Sequence, residues 1–96
     1  MTDVRLSSEA VKDLDHMIAS HNLPLDTRER VRRRLEPLER FPRLGKELGD
    51  RWQPLRIIYG PWPWMFILYS YEEAEDQVLV VGFQDGRSST AATPTS

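Results

Sequence analysis

Apolar and polar positions follow two different periods along this chain. From Leu55 onward the pattern is that of strands. Leu55–Tyr59, Trp64–Tyr71 and Gln77–Gln84 are runs rich in β-branched and aromatic residues, which suit a pleated, half-buried surface. Gly60-Pro61-Trp62-Pro63 separates the first two runs, and its prolines cannot donate to a ladder. Glu72-Glu73-Ala74-Glu75-Asp76, with four charges in five residues, separates the last two. Connections this short predict an antiparallel meander, because a parallel neighbour needs a crossover of about a dozen residues or more. The second and third runs are apolar at nearly every position. Both faces of the sheet are therefore expected to be covered, one by helices and the other by a partner.

Before Leu55 the period is helical. Val4-Arg5-Leu6 is short and alternating, and fits an edge strand. Ser7 or Ser8 then offers an oxygen to cap a helix. Val11, Leu14, Ile18 and His21, with Ala10 and Met17 beside them, recur at helical spacing up to Asn22, ahead of Pro24. Asp26-Thr27-Arg28-Glu29 has the form of a capping box. It opens a second helix with Val31, Leu35, Leu38 and Phe41 inward, which Pro37 is expected to kink or end near Leu35–Glu36. Leu23-Pro24-Leu25 joins the two as an antiparallel hairpin. Residues 41–52 read as a linker in which Leu44, Leu48 and Trp52 seal the edge of the core. The fold class is α+β: a two-helix hairpin on a small antiparallel sheet, in the order β-α-α-β-β-β. One domain spans 1–87, and the small polar residues 88–96 read as a flexible tail.

Composition narrows the chemistry. A chain of 96 residues, 40% hydrophobic, supports one modest core. The absence of cysteine removes disulfides and thiolate metal sites and fits a cytoplasmic setting. No signal sequence or membrane-spanning run is read. The net charge is −2, but residues 28–51 hold nine basic and five acidic side chains and so carry +4. Arg28, Arg30, Arg32, Arg33 and Arg34 form the polar side of the second helix. They read first as a solvated face with Glu29 and Glu36 at pairing distance, and second as phosphate contacts. His16 and His21 have no second ligand at metal spacing, so neither a metal nor a cofactor is implied.

Four sets of residues resemble the RelE/ParE toxin superfamily of bacterial toxin–antitoxin pairs. Leu35, Leu38, Phe41-Pro42, Gly45 and Leu48 are similar to its leucine-rich second helix closing on a Pro-x-x-Gly turn. Leu55-Arg56 matches its Leu-Arg, and Ile67-Leu68-Tyr69 its apolar-apolar-Tyr. Val80-Val81, followed by Gln84-Asp85-Gly86-Arg87, matches its closing strand and His-x-x-Arg-like end. The resemblance implies a compact toxin held inactive by a cognate antitoxin, whose own oligomeric state stays open. It also implies one of two activities: ribosome-dependent mRNA cleavage, as in RelE-like members, or inhibition of DNA gyrase, as in ParE-like members.

Metal-free RNA cleavage needs a base near the 2′-hydroxyl, an acid near the leaving oxygen and cations on the phosphate. The resemblance assigns Arg56, Arg87, Lys46 and Tyr69 to that work if the chain is a ribonuclease. Read by themselves, Arg56 and Arg87 are equally ion-pair partners of Glu47, Asp50 or Asp85, and Tyr69 is a core residue. Two departures weigh against cleavage. Phe66 stands where the family has an arginine, and Gln84 where it has a histidine. No helix is expected after Arg87 to present a C-terminal tyrosine. A role in protein binding is the stronger expectation. Trp52, Trp62 and Trp64 are its candidate anchors, with Trp62, in a turn between two prolines, the candidate for an exposed one. A family member that has lost toxicity and only binds a partner is a further alternative.

Overall fold

Caps and breakers in the sequence set two helices across one face of a five-stranded sheet. A computed structural model describes residues 1–87. After β1 (Asp3–Leu6), Ser7 accepts from the Ala10 N–H at 3.1 Å and starts α1 (Ser8–Ser20). Such a cap contributes about 1 kcal/mol. The buried stripe of α1 is Ala10, Leu14 and Met17, whereas Val11 is exposed. The inward face is thus turned by one position from the expected one. The methyl side chain of Ala10 lets the helix lie close to the sheet, and Val11 is rotated outward.

The link to α2 (Thr27–Leu35) runs over residues 21–26, with Asn22 at φ 50°. Asparagine tolerates this left-handed conformation better than most residues. The expected capping box does not form. The Asp26 carboxylate takes Arg30 at 2.9 Å and Glu29 pairs with Arg32 and Arg33, so guanidiniums one turn on replace the backbone N–H groups as partners. Thr27 is buried, and its hydroxyl donates to the Pro24 carbonyl at 2.6 Å. Val31 and Leu35 face inward. Pro37 ends the regular helix: α2 stops at Leu35, and a 3₁₀ turn over Glu36–Glu39 carries Leu38 into the core. That turn ends before Phe41, so no helical phase fixes its side, and both Phe41 and Leu44 are exposed rather than inward.

The strands run in the order β1-β5-β4-β3-β2. β3 (Arg56–Tyr59), β4 (Met65–Glu72) and β5 (Gln77–Asp85) form the antiparallel meander. β1 lies parallel to β5, with the helix hairpin in the crossover, so the sheet is mixed. The segment expected to be a linker contains β2 (Lys46–Glu47), paired antiparallel with Ile57 and Arg56.

Two apolar clusters flank the sheet. The larger joins Ala10, Leu14, Met17, Val31, Leu35 and Leu38 to Ile58, Met65, Ile67, Tyr69, Val78, Val80 and Phe83 on the helix face. The smaller one, Leu48, Ile57 and Leu68 with Trp52, Leu55, Phe66 and Val81 against it, lies on the other face. That second face is therefore covered in part by the chain's own residues 48–55. β5 serves both clusters through a bulge. Leu68 pairs with Gly82 but Tyr69 with Val80, which leaves Val81 as an extra residue. Val78 and Val80 face the helices before the bulge, and Phe83 does so after it. Beside the bulge, Asp13 of α1 accepts from the Phe83 N–H at 3.2 Å. Among the described residues, no helix is long and apolar enough to cross a membrane.

Candidate functional site

Tyr69 lies opposite Arg56 in the β3–β4 register, and both reach the loop Pro42–Gly45. Tyr69 is 0% exposed. Its hydroxyl donates to the Pro42 carbonyl at 2.8 Å and accepts from the Gly45 N–H at 2.8 Å. Burial pushes its pKa up. A hydroxyl so committed has no reach to a substrate. A Cβ at Gly45 would lie 2.8 Å from the Ile57 carbonyl oxygen and 2.8 Å from the Tyr69 ring and hydroxyl, so the clasp needs glycine there. Arg56 is oriented by the same loop. Its Nη1 donates to the carbonyls of Gly45 (2.8 Å) and Arg43 (3.2 Å), and its Nη2 to Glu47 (3.0 Å). Lys46 follows the loop and is exposed on β2.

Arg87 belongs to the opposite end of the sheet. Asp85 pairs with Met65 and Arg56 with Tyr69, four residues apart along β4, or about 13 Å at strand rise. The structure therefore does not bring Arg56 and Tyr69 together with Arg87. The Arg87 Nε and backbone N–H donate to Asp85 Oδ1 at 2.9 Å, and Nη2 donates to Oδ2 at 2.8 Å. His21, at the end of α1, reaches the same carboxylate through Nε2 at 2.9 Å. An ionised Asp85 only accepts, so Nε2 carries the proton, and Nδ1 is left to Ser20 Oγ at 2.9 Å. Arg87 first, and His21 second, hold the Asp85 pKa well below the usual carboxylate range. The hydroxyls of Thr2 and Tyr71 lower the pKa of Asp76, in the β4–β5 turn.

Both depressed carboxylates carry a stability consequence of one sign. Their contribution is whole above the unfolded value of about 3.9 and is lost as the pH falls through their lower folded values. The urea midpoint is expected to hold steady from neutral pH to about 5 and to fall below about 4. Asp85→Asn should flatten that acid limb. Acid limbs of equal steepness in the two proteins would remove Asp85 from the account.

Beside Asp85, two of the tryptophans form a stacked group. His21 lies 5.0 Å from Trp64 at 11°, and Trp62 lies 5.9 Å from Trp64 at 15°. Arg87 sits 4.7 Å over Trp64, and Arg30 sits 5.8 Å over Trp62. Trp62 is consequently half-buried against the larger cluster, where an exposed anchor was expected. Trp52 lies on the other face, half-buried, with Arg51 5.2 Å over its ring.

The surface left open lies between these tryptophans and the uncovered part of the second face. It is a wide concavity of about 710 Å³ lined by Tyr59, Gly60, Pro61, Pro63, Trp64, Phe66, Gly86 and Arg87. Tyr59, 38% exposed, meets Phe66 edge-on at 5.4 Å. Phe66 pairs with Gln84, so the two positions singled out in the sequence are cross-strand neighbours. Gly86 admits the Phe66 ring, since a Cβ there would lie 2.3 Å from it. The concavity offers ring faces and one guanidinium already bound to a carboxylate. Gly86 was not singled out as a site residue, although it stands within a turn-like Asp85-Gly86-Arg87. The position of a C-terminal tyrosine helix lies outside the described residues. No group of three or more His, Cys, Asp or Glu among the described residues is placed to hold a metal ion.

No family model matches the sequence, and no curated protein matches it significantly. Solved structures do match. A copper-bound mutant toxin from Helicobacter pylori superposes with a TM-score of 0.68 at 17% identity, over 91% of this chain and 97% of that one. The E. coli RelBE toxin–antitoxin complex gives 0.65 at 16% identity, over 88% and 96%. The chromosomal ParDE system of P. aeruginosa gives 0.66 at 10% identity, again over 88% and 96%. The fold is that of the RelE/ParE toxins. Within that fold this chain has the helix hairpin, the meander and a buried tyrosine, Tyr69, on β4. Its Phe66–Gln84 pair takes the two positions at which the superfamily was expected to carry arginine and histidine.

Proposed function

We propose that this chain is the toxin of a type II toxin–antitoxin pair, held inactive by a cognate antitoxin. In this reading it arrests growth in the cytoplasm by binding a target protein, with DNA gyrase the first to test, and not by cutting RNA. The observation that carries the reading is the pairing of Phe66 with Gln84 beside Tyr59 and Gly86. Neither residue transfers a proton near neutral pH, and neither holds a phosphate as a cation does. Tyr69, the hydroxyl a ribonuclease would draw on, is bound to the Pro42 carbonyl and the Gly45 N–H. An aromatic surface of this kind suits protein contact, where tyrosine, tryptophan and arginine dominate the binding energy. The toxin–antitoxin complexes among the matching folds support the antitoxin half of the proposal.

The test is induced expression, with and without the product of the adjoining small gene, while mRNA integrity and plasmid supercoiling are followed in one culture. Arrest with intact mRNA and altered supercoiling is the expected result. Fragmented mRNA would overturn the protein-binding mechanism. Normal growth would overturn toxicity and leave a partner-binding protein of the same fold.

A further inference from the structure

A second cavity, of about 300 Å³, lies at the Arg56 end of the sheet, away from the aromatic surface. Two ion pairs stand in its wall: Arg56 with Glu47 at 3.0 Å, and Arg43 with Glu73 at 3.0 Å. Leu48 and Leu55 supply an apolar part of the lining. Its volume reaches the lower end of the range for small-molecule sites.

The partners in each pair are unequally held. The Arg56 side chain is only 18% exposed and is fixed by the carbonyls of Gly45 and Arg43. The Arg43 guanidinium lies 5.0 Å over the Tyr71 ring. Both cations are thus pre-oriented. The carboxylates stand further out in solvent: the Glu47 and Glu73 side chains are 74% and 79% exposed. An exposed ion pair contributes little, because solvent screens it and two long side chains must be ordered. An incoming anion that binds the guanidiniums with two parallel N–H bonds replaces such a carboxylate at small cost.

We propose that this cavity binds a small phosphomonoester. Its phosphate lies between Arg43 and Arg56, and its apolar part rests on Leu48 and Leu55. Glu47 and Glu73 then act as built-in competitors that occupy the guanidiniums until the ligand arrives. The proposal does not depend on the toxin reading, since it concerns the opposite end of β4.

Calorimetric titration of the full chain at low salt tests it, with adenosine monophosphate, adenosine and inorganic phosphate as probes. Adenosine monophosphate is expected to bind saturably and adenosine alone not to bind. Arg43→Gln, at an exposed side chain, should weaken binding about tenfold. Glu47→Gln and Glu73→Gln should each tighten it by about threefold, which a purely structural role for these pairs does not produce. Inorganic phosphate binding as tightly as the nucleotide upholds the anion site and names free phosphate as its ligand. The proposal is overturned by no saturable binding of either phosphate probe, by adenosine binding as well as its monophosphate, or by unchanged affinity in both Glu47→Gln and Glu73→Gln.

Discussion

Tyr69→Phe is expected to lower the stability of the fold by about 2 kcal/mol. The substitution keeps the ring, so the larger cluster stays filled. What it removes is one oxygen that serves two backbone groups, the Pro42 carbonyl and the Gly45 N–H. Both are left without that partner where the loop meets the sheet, and an unsatisfied buried group costs about 1–3 kcal/mol. For a domain of this size that corresponds to a fall in the melting midpoint of roughly 10 °C. Gly45→Ala should reach a similar loss by another route, because its Cβ would press on the Ile57 carbonyl oxygen as well as on Tyr69. Urea denaturation of both variants checks the clasp. A Tyr69→Phe protein as stable as the parent but without activity would instead make the hydroxyl catalytic.

Phe66→Ala should release growth arrest while leaving the chain folded. A central aromatic on a protein-binding surface is worth about 2 kcal/mol or more, which weakens the complex roughly thirtyfold. Phe66 is only half-buried, at the margin of the smaller cluster, so its removal spares the larger one. Gly86→Ala supplies an independent arm. Its Cβ would lie 2.3 Å from the Phe66 ring and must push that ring off the surface without deleting it. Survival after induction, with thermal melts of the purified variants, reads both. Full arrest by two folded variants would sink the aromatic surface as the target site.

Much of the fold was legible because single residues act locally. Pro37 announced the end of α2, Ser7 its neighbour's start, and the Pro61–Pro63 turn the meander. The readings that failed depend on competition between distant or equivalent groups. Asp26 and Glu29 have the spacing of a capping box, but the string of arginines on the same helix supplies better partners than backbone N–H groups. The phase of α1 turns on how closely Ala10 approaches the sheet, which the helical period alone does not carry. β2 is too short to announce itself, and it exists because β3 offers an open edge.

The candidate site divides in the same way. The ion pairs of Arg56 with Glu47 and Arg87 with Asp85 were among the alternatives weighed from the sequence, and the burial of Tyr69 followed from its apolar run. Phe66 and Gln84 stood out through a resemblance, and their cross-strand pairing gave that departure a place. The stacking that folds Trp62 back on Trp64 was hidden, because a tryptophan between prolines carries no sign of where its ring turns.

The bulge at Val81 also assigns the closing residues of β5 to sides of the sheet. With it, Asp85 stands opposite Met65 on the side of His21, and Gln84 stands opposite Phe66. A regular ladder through the same residues, with Val81 paired to Leu68, would exchange them, since side chains alternate with a period of two. The carboxylate would then face the aromatic concavity, and the amide would turn toward the helices. One supernumerary residue thus works as a sorting device: it keeps the ionised carboxylate of Asp85 on the inner side and leaves the outer surface with ring faces and an amide.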